Sequence, residues 1–325
     1  MPPIVSIIVP CLNEEKTIRI LLDAILAQTY PVVAMEVVIA DGHSEDGTRS
    51  EIAAFQREHP ELAVTVIDND ARVIPVSLNR AIQATSGEII VRMDAHSAPA
   101  EDYVERCVRA LQEGLGDNVG GVWDIRPGAE GWVAASIAVA AAHPLGVGDA
   151  LYRHASQPQS VDTVPFGAFK KTLLDKIGLF DETLLANEDY EFNTRIRQSG
   201  GTIWLDPAIR SIYFARPNFV RLAKQYFNYG YWKWKMLERY PSTLRWRQFL
   251  PPAFVLSLFF LLVLGIFFPI VYAVLLVELI LYFFILFVAG LLKKAPALPI
   301  PIAVMHLSWG SGLIWSGLTT FFSSK

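Results

Sequence analysis

The chain has 325 residues, of which 52% are hydrophobic and 18% charged, and its formal net charge is −4. So apolar a composition excludes a disordered chain. Two cysteines, Cys11 and Cys107, exclude a disulfide-stapled secreted scaffold, and the acidic balance argues against nucleic acid as the main partner. Residues 249–325 hold only Glu278, Lys293, Lys294 and Lys325 as charged side chains, so a water-soluble part is joined to an apolar tail.

The opening run Ile4-Val5-Ser6-Ile7-Ile8-Val9-Pro10 follows no basic n-region and is stopped early by Pro10. It reads as a strand over 4–9, buried on both faces, and not as a signal peptide, so the bulk of the chain is expected in the cytoplasm. Residues 11–15 form a loop in which Asn13 is placed to cap the next helix, whose apolar stripe is Ile18, Leu21, Leu22, Ile25 and Leu26. A second strand is expected over 36–40, ending in Asp41-Gly42, then a helix over 48–55, a strand over 63–67 and a helix over 76–84. Ser86-Gly87 is a turn before a fourth strand over 88–93, and Tyr103, Val104, Cys107, Val108 and Leu111 mark another helix. Strands alternating with helices predict a doubly wound α/β sheet. Polar residues follow three strand ends, Asn13 and Glu14, Asp41, then Asp94 and His96, and that edge is where ligands bind in open α/β sheets.

The tail offers three apolar stretches, 249–269, 270–292 and 297–322. A helix of 20 residues spans about 30 Å, enough to cross the hydrocarbon core. Arg245 and Arg247 precede the first stretch and Lys293 and Lys294 follow the second, so the positive-inside rule puts both groups in the cytoplasm. The expectation is three crossings with Lys325 on the far side, in the inner (cytoplasmic) membrane, with residues 1–217 as a cytoplasmic domain. The other reading of the tail is a buried helical hairpin or an in-plane anchor. Glu278 inside the second stretch calls for a partner, either on another helix or in a lipid headgroup.

No Gly-x-Gly-x-x-Gly follows the first strand and no Walker loop occurs, which argues against a dinucleotide enzyme or a P-loop ATPase. A metal held by strand-end carboxylates is the natural substitute for a phosphate cradle. Asp94-Ala95-His96 sets two potential ligands two residues apart, facing the same way on a strand, for manganese or magnesium. Read alone, Asp94 serves equally as a helix cap and His96 as a loop residue. Residues 41–48, Asp41-Gly42-His43-Ser44-Glu45-Asp46-Gly47-Thr48, read as a turn and a helix start, with Asp41 best placed to face a ligand. Asn187-Glu188-Asp189-Tyr190-Glu191 opens a helix in acids; dipole complementarity accounts for them, and so does a carboxylate acting as general base.

Taken in order, these residues resemble the family 2 inverting glycosyltransferases: Ile7-Ile8-Val9-Pro10 with Asn13-Glu14, residues 38–48, Asn79, Gly87-Glu88-Ile89-Ile90, Asp94-Ala95-His96 and Glu188-Asp189. The match runs over about residues 4–215 and is closest to the bacterial exopolysaccharide branch typified by succinoglycan glucosyltransferases. That branch shares Asp-Ala-His in place of Asp-x-Asp, together with stretches like residues 161–167, 187–189 and 225–230. The resemblance implies a GT-A nucleotide-sugar-binding domain, a Rossmann-like mixed sheet with helices on both faces. It implies that Pro10, Asn13, Glu14, Asp41, Asn79 and Asp94 bind the donor, that Asp94 and His96 hold a divalent Mn2+ or Mg2+, and that Asp189 is the general base, oriented by Glu188. Phe166, Gly167, Gln225, Tyr229 and Trp232 would meet the acceptor. His96 replaces a carboxylate and removes one negative charge from the metal site.

Between residues 219 and 240, Phe219, Tyr226, Phe227, Tyr229, Tyr231, Trp232, Trp234 and Tyr240 alternate with Arg221, Lys224, Lys233, Lys235 and Arg239. Residues 218–248 are thus expected to form an interfacial helix on membrane lipids; packing of the helix onto the chain's own tail explains the same pattern. Gln225 is not followed by the Arg-Trp pair of processive synthases, which favours transfer of one sugar from a nucleotide-sugar donor, by resemblance UDP-glucose, to a lipid-linked saccharide acceptor. Two alternatives stay open: a polyprenyl-phosphate monosaccharide synthase, and a non-catalytic membrane scaffold among polysaccharide assembly proteins.

Overall fold

The computed structural model describes residues 4–323. In chain order the elements are β1 (Val5–Cys11), α1 (Ile18–Leu26), β2 (Met35–Asp41), α2 (Thr48–Glu58), β3 (Ala63–Asp68), α3 (Ile74–Ala84), β4 (Ile89–Arg92), β5 (Ser97–Pro99), α4 (Tyr103–Gln112) and β6 (Asn118–Arg126). There follow α5 (Trp132–Ala142), α6 (Pro144–Val147), β7 (Gln159–Ser160), β8 (Ala168–Lys170), α7 (Leu173–Ile177), α8 (Glu188–Gln198), β9 (Ile203–Phe214), α9 (Phe219–Arg239), α10 (Leu250–Phe267), α11 (Val271–Leu292) and α12 (Pro299–Ser323). The chain forms two compact units. The first holds residues up to Asp124 and Leu151–Tyr213; the second holds Ile125–Ala150 and everything from Phe214. The chain passes to the second unit at Phe214, and the earlier excursion Ile125–Ala150 has no sequence signal.

The first unit is built on one sheet of order β3-β2-β1-β4-β8-β6-β9-β5, with β7 beside β9. β3, β2, β1 and β4 run parallel, because each is joined to the next by a crossover helix. β8 pairs antiparallel with both β4 and β6, and β5 and β7 pair antiparallel with β9, so the sheet is mixed. The central strands carry apolar side chains on both faces. Ile7, Val9, Val37 and Ile39 bury against Leu21, Ile25 and Phe55 on one side. Ile8, Val38 and Ile90 bury against Leu78, Ile82 and Phe192 on the other. Register then aligns the strand ends: Cys11 stands beside Asp41, and Asp41 beside Asp68.

In the second unit α5, α9, α11 and α12 share a core of Ile137, Ala140, Leu222, Tyr226, Leu286, Ile302 and Met305. The side chain of Asn218 accepts from the Arg221 N–H and caps α9. α9 and α12 approach closely at two glycines: a Cβ on Gly230 would lie 2.0 Å from the Trp309 carbonyl oxygen, and one on Gly312 would lie 2.1 Å from that of Phe227. Among the described residues two helices are long and apolar enough to cross a membrane by length and composition, Trp246–Phe267 and Val271–Leu292. Phe260, Leu276 and Phe284 on them are exposed, an apolar surface suited to lipid. The third expected span, α12, is helical but lies along α9, with Lys235 Nζ donating to Thr320 Oγ1 at 2.7 Å. Lys325 lies outside the described residues. Glu278 finds its partner on a neighbouring helix: it accepts from Ser257 Oγ on α10 at 2.6 Å.

Candidate active site

Two loops at the carboxyl edge of β1 and β2 are laced together by short polar side chains. Asn13 stands in the left-handed region at φ 56°. Its backbone N–H donates to Ser44 Oγ, and its side-chain oxygen accepts from the Glu45 N–H, each at 2.8 Å. It therefore closes the loop after β2 and does not cap α1, whose N-cap is Thr17. Thr48 Oγ1 accepts from the Glu14 N–H at 2.8 Å, and Asp46 accepts from the N–H groups of Thr48 and Glu15. Asp41 is 0% exposed. Its carboxylate accepts from the Ser44 hydroxyl at 2.5 Å, the Ser44 N–H at 3.1 Å and Arg49 Nε at 2.5 Å, and Arg49 also reaches Asp68. Pro10 ends the apolar run of β1 in register with Ala40. Burial, aided by the charges of Asp41 and Glu14, pushes the Cys11 thiol up, so it is protonated and inert.

The strongest electrostatic feature is Arg92, the last residue of β4 and 3% exposed. Nη2 donates to Asp94 Oδ1 and to Glu188 Oε1, both at 3.0 Å, and Nη1 donates to Asp189 Oδ2. One guanidinium thus gathers the carboxylate just after β4 and the two acids that open α8. Burial pushes the Glu188 carboxyl up, and the Arg92 charge offsets this only in part. The α8 N-terminus favours these anions, and its N-cap Asn187 takes the left-handed conformation that asparagine tolerates.

Residues 94–96 are a turn and not a continuation of β4: the Ser97 N–H and hydroxyl both donate to the Asp94 carbonyl, at 3.0 and 2.7 Å. The strand alternation expected for Asp94 and His96 therefore does not apply. Their side chains are still partly open, at 20% and 29%. His96 Nδ1 lies 3.0 Å from Glu14 Oε1. A carboxylate only accepts, so the ring nitrogen that faces it, Nδ1, carries a proton. Among the described residues no three ligating side chains converge on one point. An ion here would be held by Asp94 and His96, with diphosphate oxygens completing its shell, as hard divalent ions bound beside phosphates commonly are. Both side chains are of ligating type and partly open to solvent.

Phe166 is buried at φ 52°, a strained conformation for a bulky residue. Its carbonyl accepts from the Tyr103 hydroxyl at 2.7 Å and its ring lies 6.0 Å from the Arg92 guanidinium. The Gly167 carbonyl accepts from the Arg92 N–H at 3.0 Å. Asn79 is placed differently: it is buried on α3 and its amide is taken up by Phe180 N–H, Phe180 carbonyl and Glu182, all at 2.9 Å, so it fixes the 180–182 turn. Gln225, Tyr229 and Trp232 belong to the second unit, on α9, where Gln225 Nε2 donates to Tyr229 Oη at 2.9 Å. Sequence reasoning missed Arg92, although a charged residue inside Ile89-Ile90-Val91-Arg92 was a usable signal. It also missed an aromatic cluster in which Trp123 stacks on Tyr213 at 4.2 Å and 6°, with the Arg153 guanidinium 5.0 Å from the Trp123 ring. Those three chain segments are too far apart in sequence for spacing to reveal it.

Chemically, the arrangement offers a buried carboxylate held by Ser44 and Arg49, a carboxylate–imidazole contact between Glu14 and His96, and two further carboxylates at a helix N-terminus. The family profile described as Glycosyl transferase family 2 matches residues 6–178. The chain is 31% identical over 252 residues to the succinoglycan biosynthesis protein ExoA of Rhizobium meliloti (strain 1021), covering 76% of this chain and 74% of that one. It is 28% identical over 268 residues to the dolichyl N-acetyl-alpha-D-glucosaminyl phosphate 3-beta-D-2,3-diacetamido-2,3-dideoxy-beta-D-glucuronosyltransferase of Methanococcus voltae, covering 81% and 82%. Among solved structures, the mannosyltransferase PcManGT from Pyrobaculum calidifontis, in complex with GDP-Man and Mn2+, has a TM-score of 0.62 at 22% identity, over 100% of this chain and 89% of that chain. The sheet is accordingly of the GT-A type, and the chain belongs to glycosyl transferase family 2: it is a glycosyltransferase.

Proposed function

We propose that this glycosyltransferase moves one sugar from a nucleotide-diphospho-sugar, UDP-glucose by preference, to a lipid-linked saccharide in exopolysaccharide assembly. The carrying observation is that Asp94 on the donor side and Glu188-Asp189 on the helix side meet on one guanidinium. A leaving group and a base belong that close together in a single displacement. The relatives support the reading of the acceptor: one is named for succinoglycan biosynthesis, the other for a dolichyl phosphate sugar.

In this reading Pro10, Glu14 and Asp41 hold the nucleoside, and Asn13 fixes the loop that carries them. Asp94 and His96 hold Mn2+ or Mg2+, which when bound supplies positive charge beside the diphosphate. Asp189 accepts the proton of the acceptor hydroxyl as it attacks the anomeric carbon, and Glu188, buried behind it, limits its orientations. Attack from the face opposite the nucleotide inverts configuration, so an α-linked donor gives a β-linked product. α10 and α11 form a hairpin across the inner membrane, with Arg245, Arg247, Lys293 and Lys294 on the cytoplasmic side that also holds the catalytic unit. α12, the third crossing expected from hydropathy, lies along the interfacial helix α9.

The test is Asp189→Asn in the full chain. Transfer should fall at least ~100-fold, the scale of general-base loss, while UDP binding in Mn2+ persists. Unchanged transfer would remove Asp189 from the role of base.

A further inference from the structure

We propose that Arg92 is the positioning residue of this transferase: by holding Asp94 on one side and Glu188-Asp189 on the other, it sets the distance between the leaving diphosphate and the base. The inference rests on the proposed role of Asp189.

A buried cation is tolerated when it is paired, and one carboxylate is enough to pair it. Arg92 takes three, drawn from positions 94, 188 and 189. Two of the three come from a separate element, the first turn of α8. Packing β4 against α8 needs no such convergence, since Ile90 and Phe192 already share an apolar core. Gathering three like charges is unfavourable unless their placement matters. Only a planar fork with several donors reaches three carboxylates at once; a lysine ammonium is a single point of charge. The fork is itself fixed. The Arg92 N–H donates to the Gly167 carbonyl at 3.0 Å, the Met93 N–H donates to the Ile8 carbonyl at 3.0 Å, and the Phe166 ring flanks the guanidinium. Phe166 is in turn pinned by Tyr103 in a strained backbone conformation. The strain is thus spent beside this guanidinium. Displacement needs the attacking oxygen, the anomeric carbon and the leaving oxygen in line, and a misplacement of about 1 Å costs on the order of 100-fold.

The experiment compares Arg92→Met, Arg92→Lys, Asp189→Asn and the Arg92→Met/Asp189→Asn double variant in the full detergent-solubilised chain. The donor is whichever of UDP-glucose and GDP-mannose the wild-type chain turns over, and the acceptor is a polyprenyl diphosphate monosaccharide. Both Arg92 variants should lose about 30-fold or more in kcat with donor KM within about fivefold of wild type, the split expected of an interaction used in the transition state. In the Asp189→Asn background, Arg92→Met should cost less than about threefold more, because it acts through Asp189. If Arg92→Met does not fold, Arg92→Lys, which keeps the charge, decides alone. Folded variants with kcat near wild type overturn the proposal, as does a loss that adds in full to that of Asp189→Asn. Transfer that survives Asp189→Asn instead overturns the role of the base, whatever Arg92 does.

Discussion

His96 and Glu14 form a unit in which each explains the other. The Glu14 carboxylate faces Nδ1 and so keeps a proton on that nitrogen; in the proposed metal role Nε2 is the ligating nitrogen. His96→Ala should therefore weaken UDP binding in Mn2+ at least ~10-fold while leaving binding in EDTA unchanged, measured by calorimetry. Equal affinities with and without metal in both proteins would show that His96 is not a ligand. At this scale the sequence was informative where a residue type is chemically committed: Asp41, Asp94, His96 and Glu188-Asp189 all stand at loop or helix ends of the first unit. It was misleading where a polar residue serves the fold. Asn79 looks like a donor contact in the motif, but its amide is fully engaged with Phe180 and Glu182. The charge of Arg92 at the end of an apolar strand was a signal, but its meaning comes from partners 96 and 97 residues away in the chain.

Among the elements, β1, β2, β3 and β4 were legible from their apolar runs, and the structure places them within a residue or two of the expected ends. The antiparallel half was not. β5, β7 and β8 have two or three residues each, too short for a periodic pattern. One polar contact ties the parallel strands to the turn before β4. Glu36 on β2 accepts from Ser6 Oγ at 2.6 Å and from the Ser86 and Gly87 N–H groups at 2.6 and 3.2 Å. Burial raises its carboxyl, but these hydrogen bonds together outweigh burial and hold it below the ordinary value. A carboxyl depressed by folding contributes stability above its unfolded value of about 4.5, lost as the pH falls through the lower folded value. Glu36→Gln should cost about 1 kcal/mol at pH 7, and the gap to wild type should narrow below pH 4 in thermal unfolding. A gap independent of pH would mean that charge on Glu36 is not what holds the turn.

For the whole molecule, composition located the apolar tail, but not how its helices are used. Hydropathy reads 297–322 as a third span; it does not show that Gly230 and Gly312 let α12 lie directly along the basic, aromatic α9. Small residues that permit close helix contact carry little weight in a hydropathy average. The excursion Ile125–Ala150 into the second unit was equally illegible, because a run such as Trp132–Ala142 fits a soluble core as well as a membrane helix. The central claim is that a metal-assisted nucleotide-sugar site and a base act together on a membrane-bound chain. Its most direct test is calorimetry of the full chain in detergent with UDP, GDP and UDP-glucose, first in Mn2+ and then in EDTA. The account predicts saturable, metal-dependent binding of UDP and UDP-glucose that is much weaker in EDTA. Folded protein that binds none of the three in Mn2+ would contradict it.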